Sequence, residues 1–265
     1  MPVTITTVRD YKRRGERFAM LTAYDYTTAR ILAAAQIPVI LVGDSLGNVM
    51  LGYRSTLPVT MEDMLHHARA VARGAPDQLL VGDMPFGAYQ SSSARAIDNA
   101  AAFLSAGMHA IKLEGGGGHA AELTAQMTER GIPVMGHIGL TPQFANLFGG
   151  FRVQGKEAQA AERIRQDARD LQVAGAFAVV IEGVPRALAK AITKELEIPT
   201  IGIGAGPDCD AQVLVIHDML GLTQDPMPKF VRSYAQLGQQ AIDAARAYAD
   251  DVRAGVFPDD AHSYH

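Results

Sequence analysis

The chain alternates short apolar runs with longer stretches in which apolar residues recur at helical spacing. A short apolar run between turn residues is typical of a buried strand, and the longer spacing is typical of an amphipathic helix. The eight runs that predict strands are Ala19–Ala23, Val39–Val42, Leu79–Val81, Ala110–Leu113, Pro133–Gly136, Ala178–Ile181, Pro199–Ile203 and Val213–Ile216. The stretches that predict helices include Tyr26–Ala35, Met61–Arg73, Ser93–Ala106, His119–Arg130, Gln159–Ala174, Pro185–Leu196 and Tyr234–Val252.

Strands that alternate with helices favour a parallel sheet, because parallel neighbours need a crossover connection that a helix can provide. Eight such units in 265 residues match the size of a (β/α)8 barrel. We therefore predict an α/β fold, namely a single TIM barrel domain over residues 1–265 with an N-terminal extension and a C-terminal helix and tail. An open doubly wound sheet is the alternative, because periodicity does not show whether the sheet closes.

The composition bears on the kinds of partner the protein can bind and on its location in the cell. The formal net charge is −4 and 48% of residues are hydrophobic, which is typical neither of a nucleic-acid-binding protein nor of a membrane-surface protein. No apolar run is long enough to cross a bilayer, and Met1 to Arg17 lacks the apolar segment of a secretory signal. Cys209 is the only cysteine, so an internal disulfide is impossible. We predict a cytoplasmic protein with no nucleic-acid or membrane partner.

Acidic residues follow several of the predicted strands. "ILVGD", "LLVGD" and "IKLE" end at Asp44, Asp83 and Glu114, and the later run "VVIE" ends at Glu182. The carboxyl ends of parallel barrel strands share one face, so the first three carboxylates are expected to lie within reach of one ion. Their hard oxygen atoms favour Mg²⁺ or Mn²⁺ over Zn²⁺. The alternative is that each acid only caps the turn or helix that follows it.

Lys112 precedes Glu114 by two residues, so both side chains point to the same face of one strand. A lysine inside a strand is rarely buried without a partner. Three carboxylates and one divalent cation leave a net negative charge, and Lys112 can offset it while holding the carboxylate of an anionic substrate. The alternative is a plain ion pair between Lys112 and Glu114.

Ser45 stands in "GDSLG", which fits the Gly-x-Ser-x-Gly nucleophile elbow of serine hydrolases. Glu182 and His217 follow in the order that such a hydrolase requires. However, the motif "VGD" recurs at residues 81–83 with Met84 in the place of the serine, so the carboxylate is the shared feature. We therefore interpret Ser45 as a hydrogen-bond donor to substrate.

Other motifs carry weaker predictions. "GIGAGP" has Pro207 where a dinucleotide fingerprint needs glycine, so it predicts a tight turn, and "EGGGGH" at 114–119 predicts a flexible turn. His137, which ends "VMGH", is a possible accessory acid–base residue or a structural histidine. The glycine-rich segment 146–156, with two phenylalanines, is a candidate lid.

A longer series of motifs resembles the ketopantoate hydroxymethyltransferase family over nearly the whole chain. The motifs are "LTAYDY", "VGDSLGN", "STLPVTMEDM", "GDMPFGAY", "IKLEGG", "GHIGLTPQ", "FRVQGK", "IEGVP", "IGIGAG", "HDMLG" and "PKFVRSY". Arg54 stands where the family is expected to have an aspartate, which puts a loop contact in doubt but not the site.

The resemblance implies a role for individual residues. The magnesium ligands of the family match Asp44, Asp83 and Glu114, and its general base matches Glu182. Its contacts with the 2-oxo acid match Asp44, Ser45, Asp83 and Lys112. It further implies a (β/α)8 barrel, 5,10-methylenetetrahydrofolate as co-substrate and a homodecamer.

The activity that the resemblance implies is a magnesium-dependent transfer of a one-carbon hydroxymethyl unit to 3-methyl-2-oxobutanoate through a metal-stabilised enolate. The product is 2-dehydropantoate, a precursor of pantothenate and coenzyme A. One alternative is a magnesium-dependent lyase or mutase resembling the isocitrate lyase group, which uses a cysteine-bearing loop; Cys209 lies far from the equivalent strand. Another is a catalytically silent barrel that binds a metabolite.

Overall fold

The computed structural model describes residues 1–265, which form two compact units, Met1–Val215 and Ile216–His265. The first unit contains the strands β1 Phe18–Thr22, β2 Val39–Val42, β3 Leu79–Asp83, β4 Ala110–Glu114, β5 Val134–Gly139, β6 Ala178–Glu182, β7 Thr200–Ile203 and β8 Ala211–Leu214. Its helices are α1 Ile5–Arg14, α2 Tyr26–Ala34, α3 Leu46–Val49, α4 Met61–Gly74, α5 Ser93–Ser105, α6 Gly117–Thr128, α7 Ala145–Phe148, α8 Ala158–Val173 and α9 Arg186–Glu195, with a 3-10 turn at Pro142–Phe144. The second unit contains α10 Ile216–Met219, α11 Leu237–Ala254 and a 3-10 turn at Asp260–His262.

The eight strands form a closed parallel barrel in sequence order. Closure is made by β1 and β8, where Phe18 pairs with Ala211 and Leu21 with Leu214. The predicted (β/α)8 barrel is therefore confirmed, and the open sheet is wrong because no edge strand is left. The predicted domain bounds of 1–265 stay a prediction.

Alternation along each strand separates the inside of the barrel from its outer layer. On β6, Ala178 and Val180 belong to the core inside the barrel, whereas Val179 and Ile181 pack with residues of α8 and α9. This is the two-residue period of a strand, seen here with both faces buried. The inner rows are apolar over most of their length, so any charged residue at the end of a row lies over this core.

The N-terminal extension forms a helix that contacts the barrel core. Helix α1 begins after Thr4, which makes a capping box, and its last residue, Arg14, is followed by Gly15 in the left-handed conformation. Val8 is fully buried with the core inside the barrel, and the ring of Tyr11 stacks on Phe18 with centroids 5.4 Å apart. The extension is thus part of the packed structure although its composition is polar and basic.

The second unit is dominated by α11, which is followed by Gly255 in the left-handed conformation. The helix predicted at Tyr234–Val252 exists but begins three residues later, at Leu237, and Ala254 is its last residue. None of the helices in the structure combines the length and the apolar character needed to cross a membrane.

Gly82 on β3 gives a test of the packing between the barrel and its outer layer. A Cβ added at Gly82 would collide with the ring of the fully buried Phe103 on α5. We expect Gly82→Ala to lower the free energy of unfolding by about 1–3 kcal/mol, because the core has no room for the added group. Chemical denaturation measures this change.

Two further variants make that test specific. Phe103→Leu combined with Gly82→Ala should cost less than the sum of the single changes, because the smaller side chain leaves space. Gly118→Ala is the control, since nothing lies within 4 Å of an added Cβ there. Equal costs for Gly82→Ala and Gly118→Ala would contradict the described packing.

Candidate active site

Charged residues end several of the inner rows described above. On β3, Leu79 and Val81 face the barrel core, so Asp83 is the next residue of the same row. On β4, Ala110 faces the core, and Lys112 and Glu114 continue its row. Strand period therefore brings these charges together over the barrel core, at the C-terminal face where barrel enzymes hold their substrates.

Asp83 and Lys112 form a buried ion pair. They are register partners on β3 and β4, and Lys112 Nζ lies 2.7 Å from Asp83 Oδ1. The backbone N–H of Asp44 donates to the other oxygen of Asp83, Oδ2, at 3.2 Å. The predicted alternative, a plain pair of Lys112 with Glu114, is not what the structure shows, because the salt bridge is to Asp83.

The mouth of the barrel holds more negative than positive charge. Burial, Asp83 and Glu114 raise the pKa of Asp44 well above its ordinary value. Burial also raises the pKa of Asp83, although Lys112 opposes this. Burial lowers the pKa of Lys112, but the three carboxylates outweigh burial and raise it above its ordinary value. One lysine is therefore too little positive charge for three buried carboxylates.

Gln143, which sequence reasoning did not single out, links these carboxylates. Its Nε2 donates to Asp44 Oδ2 at 3.0 Å, and its backbone N–H donates to Glu114 Oε2 at 2.9 Å. Its Oε1 accepts from the hydroxyl of the buried Tyr89 at 2.8 Å. Gln143 lies in the 3-10 turn after β5 and ends the motif "GHIGLTPQ", so that motif was the available signal.

His137, on β5, lies between the acids that end the two flanking strands, β4 and β6. It pairs in register with Glu114, and its Nδ1 lies 3.6 Å from Glu114 Oε1 and 3.3 Å from Lys112 Nζ. Its Nε2 lies 3.2 Å from Glu182 Oε2. Burial and Lys112 lower the pKa of His137, but the contacts with Glu114 and Glu182 outweigh them and raise it to about 9. His137 thus contacts both the acidic cluster and the candidate base.

Glu182 ends β6 and is more accessible than the other acids, with 16% of its side chain exposed. The following helix α9 has Pro185 at its N-cap position, and no side chain caps it. Glu182 therefore does not owe its position to capping, and its carboxylate, although it contacts His137, is accessible enough to face a ligand in the mouth.

Ser45 lies directly after Asp44 and hydrogen-bonds with the hydroxyl of Tyr24 at 2.8 Å. Its backbone has φ −54° and ψ −15°, an ordinary helical conformation at the start of α3. A nucleophile elbow holds its serine on a sharp, strained turn. The local geometry of Ser45 therefore favours a substrate-binding hydroxyl over a hydrolase nucleophile.

This interpretation predicts the behaviour of one variant. Ser45→Ala should reduce turnover by about 10-fold, because it removes one hydrogen bond to a charged group, and it should leave measurable activity. Stoichiometric labelling of Ser45 by a serine-directed phosphonate, with complete loss of activity, would contradict it. The phosphonate-treated Ser45→Ala variant is the matched control for the labelling.

The chemistry of these side chains fits a hard divalent cation. Asp44, Asp83 and Glu114 supply oxygen atoms, and their excess negative charge is what a cation would balance. In this structure, however, no three acidic, histidine or cysteine side chains are close enough to surround one ion. Lys112 instead contacts an oxygen of Asp83, and Gln143 donates hydrogen bonds to oxygens of Asp44 and Glu114. A metal ion coordinated by all three carboxylates would have to replace some of these contacts. The metal site stays a prediction.

The remaining sequence motifs contribute no side chain to this cluster beyond Glu114. The turn interpretation of 114–119 is wrong for Gly117–His119, which form the first turn of α6. In segment 146–156, Phe151 is exposed, while the N–H of Gln154 donates to Gly183 O at 2.8 Å, so one part of the candidate lid is attached to the barrel. Arg54 is exposed. Cys209 is buried in the outer layer with residues of α8 and α9.

The fold and the site together define a (β/α)8-barrel protein with a buried cluster of acidic side chains at the carboxyl ends of its strands. More specifically, the chain belongs to the ketopantoate hydroxymethyltransferase family, whose sequence model matches residues 2–260.

Relatives of known name match at full length. A 3-methyl-2-oxobutanoate hydroxymethyltransferase of Syntrophus aciditrophicus (strain SB) is 54% identical over 263 residues, covering 99% of this chain and 96% of the relative. The protein of the same name from Carboxydothermus hydrogenoformans (strain ATCC BAA-161 / DSM 6008 / Z-2901) is 52% identical, with 99% and 95% coverage.

Solved structures of more distant proteins share the fold. Phosphonopyruvate hydrolase in complex with oxalate and Mg²⁺ superposes with a TM-score of 0.65 at 15% identity, covering 100% of this chain and 92% of the other. A 2,3-dimethylmalate lyase of the PEP mutase/isocitrate lyase superfamily superposes with a TM-score of 0.63 at 16% identity, with 98% and 88% coverage. At these identities the similarity concerns the fold alone.

Proposed function

We propose that this chain is a 3-methyl-2-oxobutanoate hydroxymethyltransferase, which makes 2-dehydropantoate for pantothenate and coenzyme A synthesis. The observation that carries the proposal is full-length identity of 50–54% to relatives of that name. The buried cluster of acids around one lysine at the barrel mouth supports it, because a divalent cation held by these acids would bind an oxygen-rich, anionic substrate. We further propose a cytoplasmic location, and a homodecamer as the family resemblance implies.

Asp44, Asp83 and Glu114 would hold Mg²⁺, with Mn²⁺ as a substitute. When bound there, the ion supplies a Lewis acid that polarises the ketone and so acidifies the proton at C3 of the oxo acid. Lys112 balances the charge of the acids and binds the carboxylate of the substrate. Ser45 donates a hydrogen bond to the same substrate, and Gln143 keeps Asp44 and Glu114 oriented through its hydrogen bonds.

Glu182 removes the C3 proton of the oxo acid as general base. Its carboxylate is the accessible one, and His137 contacts it at 3.2 Å and fixes its direction. The enolate carbon then forms a C–C bond to the methylene carbon of 5,10-methylenetetrahydrofolate as one of that carbon's two C–N bonds breaks. Water forms the C–O bond of the hydroxymethyl group as the second C–N bond breaks. The two folate nitrogens take up the proton removed from C3 and one proton from water. The products are 2-dehydropantoate and tetrahydrofolate.

Exchange of the C3 proton in deuterated water, without folate, tests the first half of this chemistry. The protein with Mg²⁺ should incorporate deuterium into 3-methyl-2-oxobutanoate, chelator should stop the exchange, and added Mg²⁺ or Mn²⁺ should restore it. A barrel that only binds metabolites would show no exchange above the solution rate. Full exchange in excess chelator would contradict the role of the metal.

A further inference from the structure

A cavity adjoins the acidic cluster. It has a volume of about 540 Å³ and lies between the ends of β4 and β5 and the N-terminal parts of α6 and α8. Glu114 and Tyr89 form part of its wall, so it shares residues with the candidate active site. This volume is in the range of pockets for drug-sized ligands and is far larger than a five-carbon oxo acid needs.

Asp167 on α8 is the acidic group of this cavity that lies outside the cluster described above. Its side chain is half buried and makes no hydrogen bond or salt bridge within the protein. Burial and Asp170 raise the pKa of Asp167, while Arg163 opposes them. A half-buried carboxylate without a donor is unfavourable, so a ligand with N–H groups would stabilise it.

Two glycines allow Asp167 to take this position. A Cβ added at Gly116 would collide with the Asp167 side chain, and one added at Gly117 would lie 3.0 Å from Asp167 Oδ1. The glycine run "GGGG" at 115–118 therefore gives the carboxylate room against the start of α6. The position of Asp167 therefore gives a reason for glycines at 116 and 117, which the acidic cluster does not provide.

The other walls of the cavity suit a flat aromatic ring with an anionic extension. Phe144 and Phe148 line it and offer ring surfaces, and Ile138 and Ile164 add apolar area. Arg163 also lines the cavity and is exposed to solvent, so it can meet a negatively charged tail. A small dianionic ligand fits less well, because Asp167 would repel it.

We propose that this cavity binds the one-carbon donor, with Asp167 accepting two hydrogen bonds from the 2-amino and N3–H groups of its reduced pterin ring. The phenylalanines contact the ring, and Arg163 meets the carboxylates of the glutamate tail. The shared wall at Glu114 brings the methylene group towards the bound oxo acid. This inference rests on the proposed function, which supplies the folate, and it adds the site and the residues that recognise it.

The test compares folate binding with proton exchange in the same variants. Asp167→Asn keeps the shape but loses the charge, and Ala160→Leu places a larger side chain in the wall of the cavity. Each should raise the dissociation constant of tetrahydrofolate, measured by calorimetry with Mg²⁺ and the oxo acid present, by about 10- to 100-fold. Exchange of the C3 proton without folate should stay at the wild-type rate.

Glu157→Gln is the matched control, because it removes one carboxylate next to the same helix at an exposed position that does not line the cavity. It should leave the affinity for tetrahydrofolate unchanged. Wild-type affinity in both Asp167→Asn and Ala160→Leu, with wild-type protein active in transfer, would overturn the cavity assignment alone. A wild-type protein that exchanges the C3 proton but neither binds tetrahydrofolate nor transfers from its methylene form would overturn the proposed donor and this inference together.

Discussion

Glu182→Gln is expected to slow exchange of the C3 proton of 3-methyl-2-oxobutanoate by about 10²- to 10⁴-fold, the usual contribution of a positioned general base. The amide keeps the size of the side chain but cannot accept the proton. Binding of Mg²⁺ and of the oxo acid should remain close to normal, because Glu182 lies on β6 whereas the candidate ligands lie at the ends of β2, β3 and β4. Deuterium incorporation and calorimetry on the same preparation measure the two quantities.

A purely structural role for Glu182 predicts the opposite pattern, with a lower melting temperature and nearly unchanged exchange. Glu197→Gln serves as the control, since it makes the same charge change at an exposed position before the amino end of β7. Near-wild-type exchange in Glu182→Gln would remove this residue from the mechanism.

Asp44→Asn is expected to make the protein more stable in chelator while reducing its activity. Burial, Asp83 and Glu114 raise the pKa of Asp44, because desolvation and repulsion between like charges make its ionised carboxylate unfavourable. A neutral amide can still accept the hydrogen bond from Gln143. We expect the free energy of unfolding without metal to rise by about 0.5–2 kcal/mol, as is common when a strained functional charge is removed. Turnover with Mg²⁺ should fall by about 10- to 100-fold, because a candidate metal ligand is lost.

Chemical denaturation in chelator and in Mg²⁺ separates these effects. In the wild type, Mg²⁺ should stabilise the fold, because the ion binds only the folded site. This stabilisation should shrink in Asp44→Asn. If the variant is less stable in chelator and is stabilised by Mg²⁺ as strongly as the wild type, the assignment of Asp44 as a ligand is wrong.

The barrel itself could be predicted because both its strands and its helices carry local signals. Strand β2 was predicted with its observed bounds, Val39–Val42, since Pro38 and Gly43 flank a fully apolar run. Helix α4 begins at Met61 as predicted, after a capping box between Thr60 and Asp63.

Strand ends were harder to predict where charge or a neighbouring helix changes the pattern. Strand β3 was predicted to end at Val81, because the apolar run stops there, yet the strand continues to Asp83. The last strand was predicted at Val213–Ile216 but lies at Ala211–Leu214, since the exposed Gln212 interrupts the apolar run and α10 begins at Ile216. The short helices α3 and α7 have too few residues to show a period.

Some residues of the candidate site could also be predicted from the sequence, and others could not. Asp44, Asp83, Glu114 and Lys112 could be predicted from their places at strand ends, and the structure brings them together. Gln143 could not, because its role depends on contacts with Asp44, 99 residues away in the sequence. The ion pair of Lys112 with Asp83 was also missed, since it depends on the register between two strands.

Transfer of an isotopically labelled carbon tests the central claim most directly. The protein is mixed with Mg²⁺, 3-methyl-2-oxobutanoate and 5,10-methylenetetrahydrofolate labelled with ¹³C at the methylene group, and the products are analysed by mass spectrometry. We expect the label in the hydroxymethyl group of 2-dehydropantoate, with the product absent in chelator and strongly reduced in Glu182→Gln. A folded wild-type protein that forms no labelled 2-dehydropantoate under these conditions would contradict the account.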